Sequence, residues 1–302
     1  MTSVSFVIPV YNKSEFLEYV LESLFKQNGE FKKEYIFIDD GSTDNSPNIL
    51  KKMTKNVKNC HIISQSNKGS ANATNVGINI ARYKYIKFLD ADDLLLSDAT
   101  NCLLNILEKY NDFVLAYGQQ RKTKNLSKVN LNKSLKKDFD IVHKPLDLAM
   151  RNSMFNPSQF LARTSICKKV GGCDERVKHS QEYSLTLKLA LKGKFIKLND
   201  FVTILPINAP GQISENKVEQ IYRVSKALEL FLKDNHDLPK NILVKAQRRL
   251  TGRAWRFAKR SYGESYFSKW FLIYLIGFFG INKNHIRICE EANKIYKKSN
   301  FK

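Results

Sequence analysis

Tyr85-Ile86-Lys87-Phe88-Leu89-Asp90-Ala91-Asp92-Asp93 is the stretch on which the fold turns. A strand-forming run ends abruptly in an acidic cluster. Residues i and i+2 of an extended chain point to the same side, so Asp90 and Asp92 stand together. Working towards the amino terminus, residues 35–38 form a second such strand, ending at Asp39-Asp40-Gly41-Ser42-Thr43-Asp44. Around these lie an apolar strand over residues 6–10 and a helical period over 14–27 with Ser14 as its N-cap. A helix towards Leu50 and Met53, a strand over 60–64 and a helix over 71–81 follow. Repeated strand–helix units predict a mostly parallel sheet covered by helices on both faces. Ligands of such sheets bind beyond the carboxyl ends of the strands, which is where both acidic clusters fall.

Outward in the other direction, a helix is expected over 99–110 and a strand over 113–117. The stretch 121–137 then carries seven Lys or Arg and no acid, and reads as a solvated loop. A helix near 145–152, a strand near 159–163, a helix over 181–191 and a strand over 195–205 come next. Pro206, Pro210 and Gly211 mark a boundary. Beyond it, helices are expected over 218–232, 241–262 and from His285 onward.

The 302 residues carry 50 Lys and Arg against 29 Asp and Glu, a net charge of +21, and 43% hydrophobic residues. That composition is globular and points to an anionic partner. Five scattered cysteines with no CxxC pair fit reduced thiols, not a disulfide framework or a zinc site. The amino terminus reads as a first strand and not a signal peptide, and no apolar run reaches the ~20 residues a spanning helix needs.

P-loop, GxGxxG, serine-elbow and HExxH patterns are absent from the sequence, which removes the chemistries they serve. What remains is carboxylates. Two on one side of a strand end can share a hard cation such as Mg²⁺ or Mn²⁺. The plainer alternative makes Asp92 or Asp93 the N-cap of a helix beginning at Leu94-Leu95-Leu96.

Five blocks in order carry a resemblance: Ser5-Phe6-Val7-Ile8-Pro9-Val10-Tyr11-Asn12, Ile38-Asp39-Asp40-Gly41-Ser42-Thr43-Asp44, Asn67-Lys68-Gly69, Asn75-Val76-Gly77 and Phe88-Leu89-Asp90-Ala91-Asp92-Asp93. Together they resemble the family-2 glycosyltransferases of the GT-A fold, firmly over 3–95 and more loosely to about 214. The resemblance implies an α/β, Rossmann-like nucleotide-diphospho-sugar transferase fold over 1–214. Residues 1–98 would be its nucleotide-sugar half and 99–214 its acceptor half, with a basic helical region over 215–302. It implies an inverting transferase that moves a sugar from a nucleotide diphosphate to an acceptor hydroxyl. Pro9, Tyr11, Asp39 and Asp40 would line the nucleoside pocket, Asp90 would lie near the ribose, and Asp92 would hold the divalent metal, Mn²⁺ or Mg²⁺.

The family's Gly-Gly-Phe-Asp-Glu segment and following base match Gly171-Gly172-Cys173-Asp174-Glu175 and Gln181-Glu182, so Glu182 falls at the general base. Taken alone, Glu182 reads first as a first-turn acid stabilised by the helix dipole, and only the resemblance favours the catalytic reading. Three positions depart from the family: Thr74 replaces an Arg near the diphosphate, Tyr83 replaces a Gly, and Ala209-Pro210-Gly211 lacks a metal-site His. Lys68 is placed to supply the charge that Thr74 does not.

In the carboxyl third, Arg249, Arg253, Arg256 and Arg260 recur at helical spacing, and Trp270–Ile281 is apolar. This suits an interfacial anchor with Trp270 at headgroup depth, or else a buried helix. The leading expectation is a cytoplasmic enzyme, peripheral at the inner face of the membrane, building bacterial surface polysaccharide or lipopolysaccharide. Its partners would be a nucleotide-sugar donor, a glycan or lipid-linked acceptor and an anionic membrane surface. The rivals are a transferase for soluble or protein acceptors, a catalytically impaired scaffold of the same fold, and a basic nucleic-acid binder. No nucleic-acid-binding motif supports the last of these.

Overall fold

A computed structural model describes residues 1–136, 138–177, 181–207, 216–281 and 284–298. In the first half, strands and helices alternate as β1 (Ser3–Val10), α1 (Ser14–Phe25), β2 (Lys32–Asp39), α2 (Ser46–Thr54), β3 (Cys60–Ser64), α3 (Ser70–Ile80) and β4 (Tyr85–Phe88). The short β5 (Leu94–Leu95), α4 (Ala99–Lys109), β6 (Phe113–Thr123), β7 (Phe139–Val142), α5 (Pro145–Ala149), β8 (Phe160–Arg163), α6 (Thr164–Lys169), α7 (Gln181–Ala190) and β9 (Lys194–Pro206) follow. The carboxyl third holds α8 (Lys217–Asp234), α9 (Lys240–Tyr262), α10 (Lys269–Phe279) and α11 (His285–Asn293).

The described strands form one sheet in the order β3-β2-β1-β4-β8-β6-β9-β5, with β7 also on β9. β3, β2, β1 and β4 are parallel; β8 enters antiparallel to β4, and β6 and β9 are parallel to each other. The expected α/β sheet is therefore present, parallel through its amino-terminal strands and mixed beyond them. β1 is central: Val4, Phe6, Val7, Ile8 and Val10 have no exposed surface, since a strand with helices on both sides buries both faces. Gly77 lets α3 close onto β1, because a Cβ there would lie 2.3 Å from Val7 Cγ1.

The chain divides into two compact units, Met1–Pro145 with Met154–Pro210, and Leu146–Ser153 with Gly211–Lys302. Leu146–Ser153, expected within the first domain, thus belongs to the helical unit. Lys245 pairs there with Asp147 at 2.8 Å, Arg249 donates to Asn152 Oδ1 at 2.6 Å, and Arg253 donates to the Arg151 carbonyl at 2.9 Å. Two of the four stripe arginines are therefore engaged within the unit. Trp270 is buried, and Phe271 packs on Trp255 with ring centroids 5.0 Å apart. Phe267, Leu272, Phe279 and Ile281 remain exposed. No described helix is long and apolar enough to cross a membrane.

Three local expectations change. Ser14 does not cap α1 with its own side chain: its backbone N–H donates to Asp44 Oδ2 at 2.9 Å, so the cap comes from the loop after β2. Asp92 and Asp93 precede no helix, because Leu94 and Leu95 pair with Ile204 and Thr203 of β9. The basic stretch is strand as far as Thr123, where β6 runs beside β9. Ala209-Pro210-Gly211 lies outside the described residues.

Candidate active site

The site begins with two loops at the carboxyl ends of β1 and β2, where Val10 and Asp39 are register partners. The Asn12 N–H donates to Ser42 Oγ at 3.1 Å, and Asn12 Oδ1 accepts from the Thr43 N–H at 2.8 Å. Asn12 adopts φ 51°, a left-handed conformation that Asn tolerates better than most residues. The Lys13 N–H donates to Ser46 Oγ at 2.9 Å. Hydrogen bonds thus stitch the two loops into one wall. Pro9 is half-buried in β1, and Tyr11 stands exposed on the rim.

Asp39 and Asp40 are both buried. Asp39 Oδ1 accepts from the Ser42 N–H at 3.0 Å, which closes its turn. Asp40 accepts from Gln65 Nε2 at 2.7 Å, the Lys68 N–H at 2.9 Å and the Gly69 N–H at 2.8 Å. Both of its oxygens accept from the 65–69 loop, so Asp40 clamps that loop to the end of β2. The Lys68 side chain is exposed.

The acidic centre follows β4. The Asp90 N–H donates to Ser158 Oγ at 2.9 Å, which fixes the strand end against the turn before β8. Burial pushes the Asp90 carboxyl up to about 8, and the neighbouring charges of Asp92 and then Glu182 push the same way; Lys13 and Lys87 oppose them. Asp93 is also held well above the carboxylate range, first by burial and then by Asp92 and Asp90. Glu182, in the first turn of α7, is therefore close enough to Asp90 for the two charges to interact. Of the carboxylates singled out in the sequence, Asp92 and Glu182 thus both act on Asp90.

Sequence reasoning passed over the cations among them. Lys13 Nζ donates to Asp92 Oδ2 at 2.6 Å. Lys87 is fully buried beneath the cluster; its ammonium donates to the carbonyls of Phe88, at 3.0 Å, and Ser158. Burial lowers its pKa to about 7, against the pull of Asp93 and Asp90. A lysine inside an otherwise apolar strand was the visible signal for Lys87. Lys13 carried none, because a lysine before a helix is ordinarily solvated.

Two further sequence blocks meet at the approach to Glu182. Asn75 donates to Glu175 Oε1 at 2.7 Å and to the Cys173 carbonyl at 3.1 Å, and accepts from the Cys173 N–H at 2.7 Å. Gly172 sits at φ +64°, where a Cβ would lie 2.2 Å from Asn75 Oδ1, so only glycine fits. α3 thereby holds the segment that leads towards α7.

Among the described residues, no three His, Cys, Asp or Glu side chains are grouped closely enough to hold a metal. Asp90 and Asp92 nonetheless offer two carboxylates at one strand end. Mg²⁺ and Mn²⁺ commonly take one or two carboxylates and complete their coordination with substrate phosphates. The donor set fits a cation that shares its coordination with a ligand, not a closed cage.

The profile of Glycosyl transferase family 2 matches residues 5–169. The poly-beta-1,6-N-acetyl-D-glucosamine synthase of Staphylococcus aureus (strain COL) is 38% identical over 99 residues, 33% of this chain and 24% of the synthase. Glycosyltransferase GlyG of Streptococcus pneumoniae serotype 4 is 35% identical over 114 residues, 37% of this chain and 38% of that protein. The matches thus span about a quarter to two-fifths of these relatives' lengths. In fold, the chain is similar to S. aureus TarS 1-349 in complex with UDP-GlcNAc, with a TM-score of 0.68 and 18% identity over 97% of this chain and 84% of that one. A mannosyltransferase, PcManGT of Pyrobaculum calidifontis, in complex with GDP-Man and Mn²⁺, aligns with a TM-score of 0.60 and 15% identity over 98% of this chain and 86% of that one. The strand-end acidic blocks, the GT-A architecture and a profile match over more than half of its length agree: the chain belongs to glycosyl transferase family 2.

Proposed function

We propose that the chain is an inverting, metal-dependent glycosyltransferase that moves a hexosyl or related sugar from a nucleotide diphosphate to an acceptor hydroxyl. The observation that carries this reading is the convergence of Asp90, Asp92 and Glu182 at the carboxyl ends of the strands, beside the wall built from the β1 and β2 loops. Pro9, Tyr11, Asp39 and Asp40 border the nucleoside, and Asp40 also holds the loop that presents Lys68. Asp90 lies towards the ribose, and Asp92 takes the divalent cation, Mn²⁺ or Mg²⁺. A bound cation offsets charge on the departing diphosphate. Glu182 accepts the proton of the attacking hydroxyl. The likeness to proteins bound to UDP-GlcNAc and to GDP-Man with Mn²⁺ supports a nucleotide-sugar donor.

The acceptor in this reading is a glycan or lipid-linked glycan of the cell surface, a role supported by the match to a polysaccharide synthase. Docking at the cytoplasmic face of the membrane is part of the same reading. Its support is now the exposed Phe267, Leu272, Phe279 and Ile281 and the flanking exposed Arg256, Lys259 and Arg260, in place of Trp270 and the full arginine stripe.

The test is a thermal-shift screen of the full chain against sugar nucleotides with and without Mn²⁺, followed by turnover assays with the best donor. Asp92→Asn is expected to remove the metal-dependent part of the shift. Glu182→Gln is expected to keep donor binding and lose about 10²–10⁴-fold in turnover. A Glu182→Gln enzyme that turns over at the parent rate refutes the general-base assignment.

A further inference from the structure

Lys13 is held in place by its backbone. Its N–H donates to Ser46 Oγ, and its carbonyl accepts from the Phe16 and Leu17 N–H groups, each at 3.0 Å, as the first turn of α1 forms. The side chain then crosses from the end of β1 to the end of β4, where the ammonium meets Asp92 Oδ2 at 2.6 Å. Neither partner is solvated like a surface ion pair: the side chains are 17% and 15% exposed. The Lys13 charge also acts on Asp90.

We propose that Lys13 is a built-in counter-ion of the metal-binding carboxylate, which keeps the affinity for a free divalent cation low and couples uptake of the cation to arrival of the nucleotide diphosphate. The inference rests on the reading of Asp92 as metal ligand. A divalent cation arriving alone must compete with the ammonium for Asp92 and then lie beside a displaced positive charge, which the surrounding low-dielectric site makes costly. A cation arriving with a diphosphate brings anionic oxygens that give Lys13 a new partner. Cation and nucleotide should then favour each other's binding, and by thermodynamic linkage the effect is reciprocal.

The experiment is calorimetric titration of the full chain with Mn²⁺ alone, and again with saturating UDP or GDP, for the parent and for Lys13→Met, Lys13→Gln and Lys13→Arg. Lys13→Met is expected to bind Mn²⁺ alone about tenfold more tightly than the parent, equivalent to about 1.4 kcal/mol. Lys13→Gln, a second neutral variant, should do the same should Lys13→Met fold poorly, and Lys13→Arg should stay near the parent. The tightening of Mn²⁺ binding by the nucleotide should shrink in the neutral variants. Unchanged Mn²⁺ affinity in both neutral variants, with Asp92→Asn abolishing it, overturns the role of Lys13 and leaves the metal reading standing. Mn²⁺ affinity that is unchanged in Asp92→Asn as well, or absent throughout, overturns both.

Discussion

Replacing Asp40 by Asn changes one oxygen into an NH2 group and nothing else in size. The three partners of Asp40 all donate: Gln65 Nε2 and the Lys68 N–H to Oδ1, and the Gly69 N–H to Oδ2. If the Asn oxygen replaces Oδ1, its NH2 faces the buried Gly69 N–H. If the oxygen replaces Oδ2, the NH2 faces Lys68 and Gln65, and Gln65 cannot simply turn over, because its Nε2 also donates to Asn72 Oδ1 at 2.9 Å. Either orientation strands a donor and loses a charge-assisted bond. With about 1.5–3 kcal/mol for such a bond and about 1–3 kcal/mol for an unsatisfied buried group, a loss of about 3 kcal/mol is expected. In a unit of about 200 residues that lowers the melting temperature by about 6–12 °C. Calorimetric melts of the parent and Asp40→Asn, with nucleotide binding measured below both transitions, check this. A variant that melts within 2 °C of the parent, on the ~2–4 °C per kcal/mol scale, refutes the clamp.

Three more outcomes are expected. The Asp90 carboxyl is raised in the folded chain from its ordinary 3.8 to about 8, so it contributes stability at low pH that is lost as pH rises through about 8. With divalent ions chelated, Asp90→Asn should therefore gain on the parent across that window, and parallel melting curves from pH 5 to 8 would count against the assignment. Gly77→Ala should destabilise, because an overpacking cost of about 1–3 kcal/mol is set against a helix gain of about 1 kcal/mol. Shortening Val7 to Ala in that background should cost less than it does alone in a denaturation cycle, whereas simple additivity would mean that the two positions do not collide. Combined Phe267→Ser, Leu272→Ser and Phe279→Ser changes should release the protein from phosphatidylglycerol vesicles at low salt, as read by sedimentation. Parent protein that fails to sediment with such vesicles removes the membrane reading.

The parallel half of the fold was legible because its signals are local. Strand runs that end in Asp-Asp-Gly-Ser and Asp-Ala-Asp-Asp announce both the periodicity and the side of the sheet on which chemistry gathers. The arrangement of β8, β6 and β9 was not legible, since strand order beyond β4 depends on pairings more than 30 residues apart in sequence. At the site, residue types were readable and their partners were not. Asp40 gave no hint of its hold on the 65–69 loop, and Asp92 gave none of Lys13, 79 residues away. Arg249 and Arg253 show the same limit in the helical unit: spacing fixes which face a side chain is on, but not what covers that face.

The place of β4 between the parallel and antiparallel parts of the sheet has a consequence for how function is lost on heating. The Leu89 N–H is held by the Val7 carbonyl at 3.1 Å, and the Asp90 N–H by Ser158 at 2.9 Å, so the acidic centre hangs from the protected interior of the sheet and not from an edge. Amide hydrogens in such positions exchange with solvent through the largest opening of a domain, while edge strands and chain ends exchange through smaller ones. The Leu89 and Asp90 amides should therefore be among the last to take up deuterium. Activity should vanish together with the cooperative melt of the sheet unit, with no prior inactivation step at lower temperature.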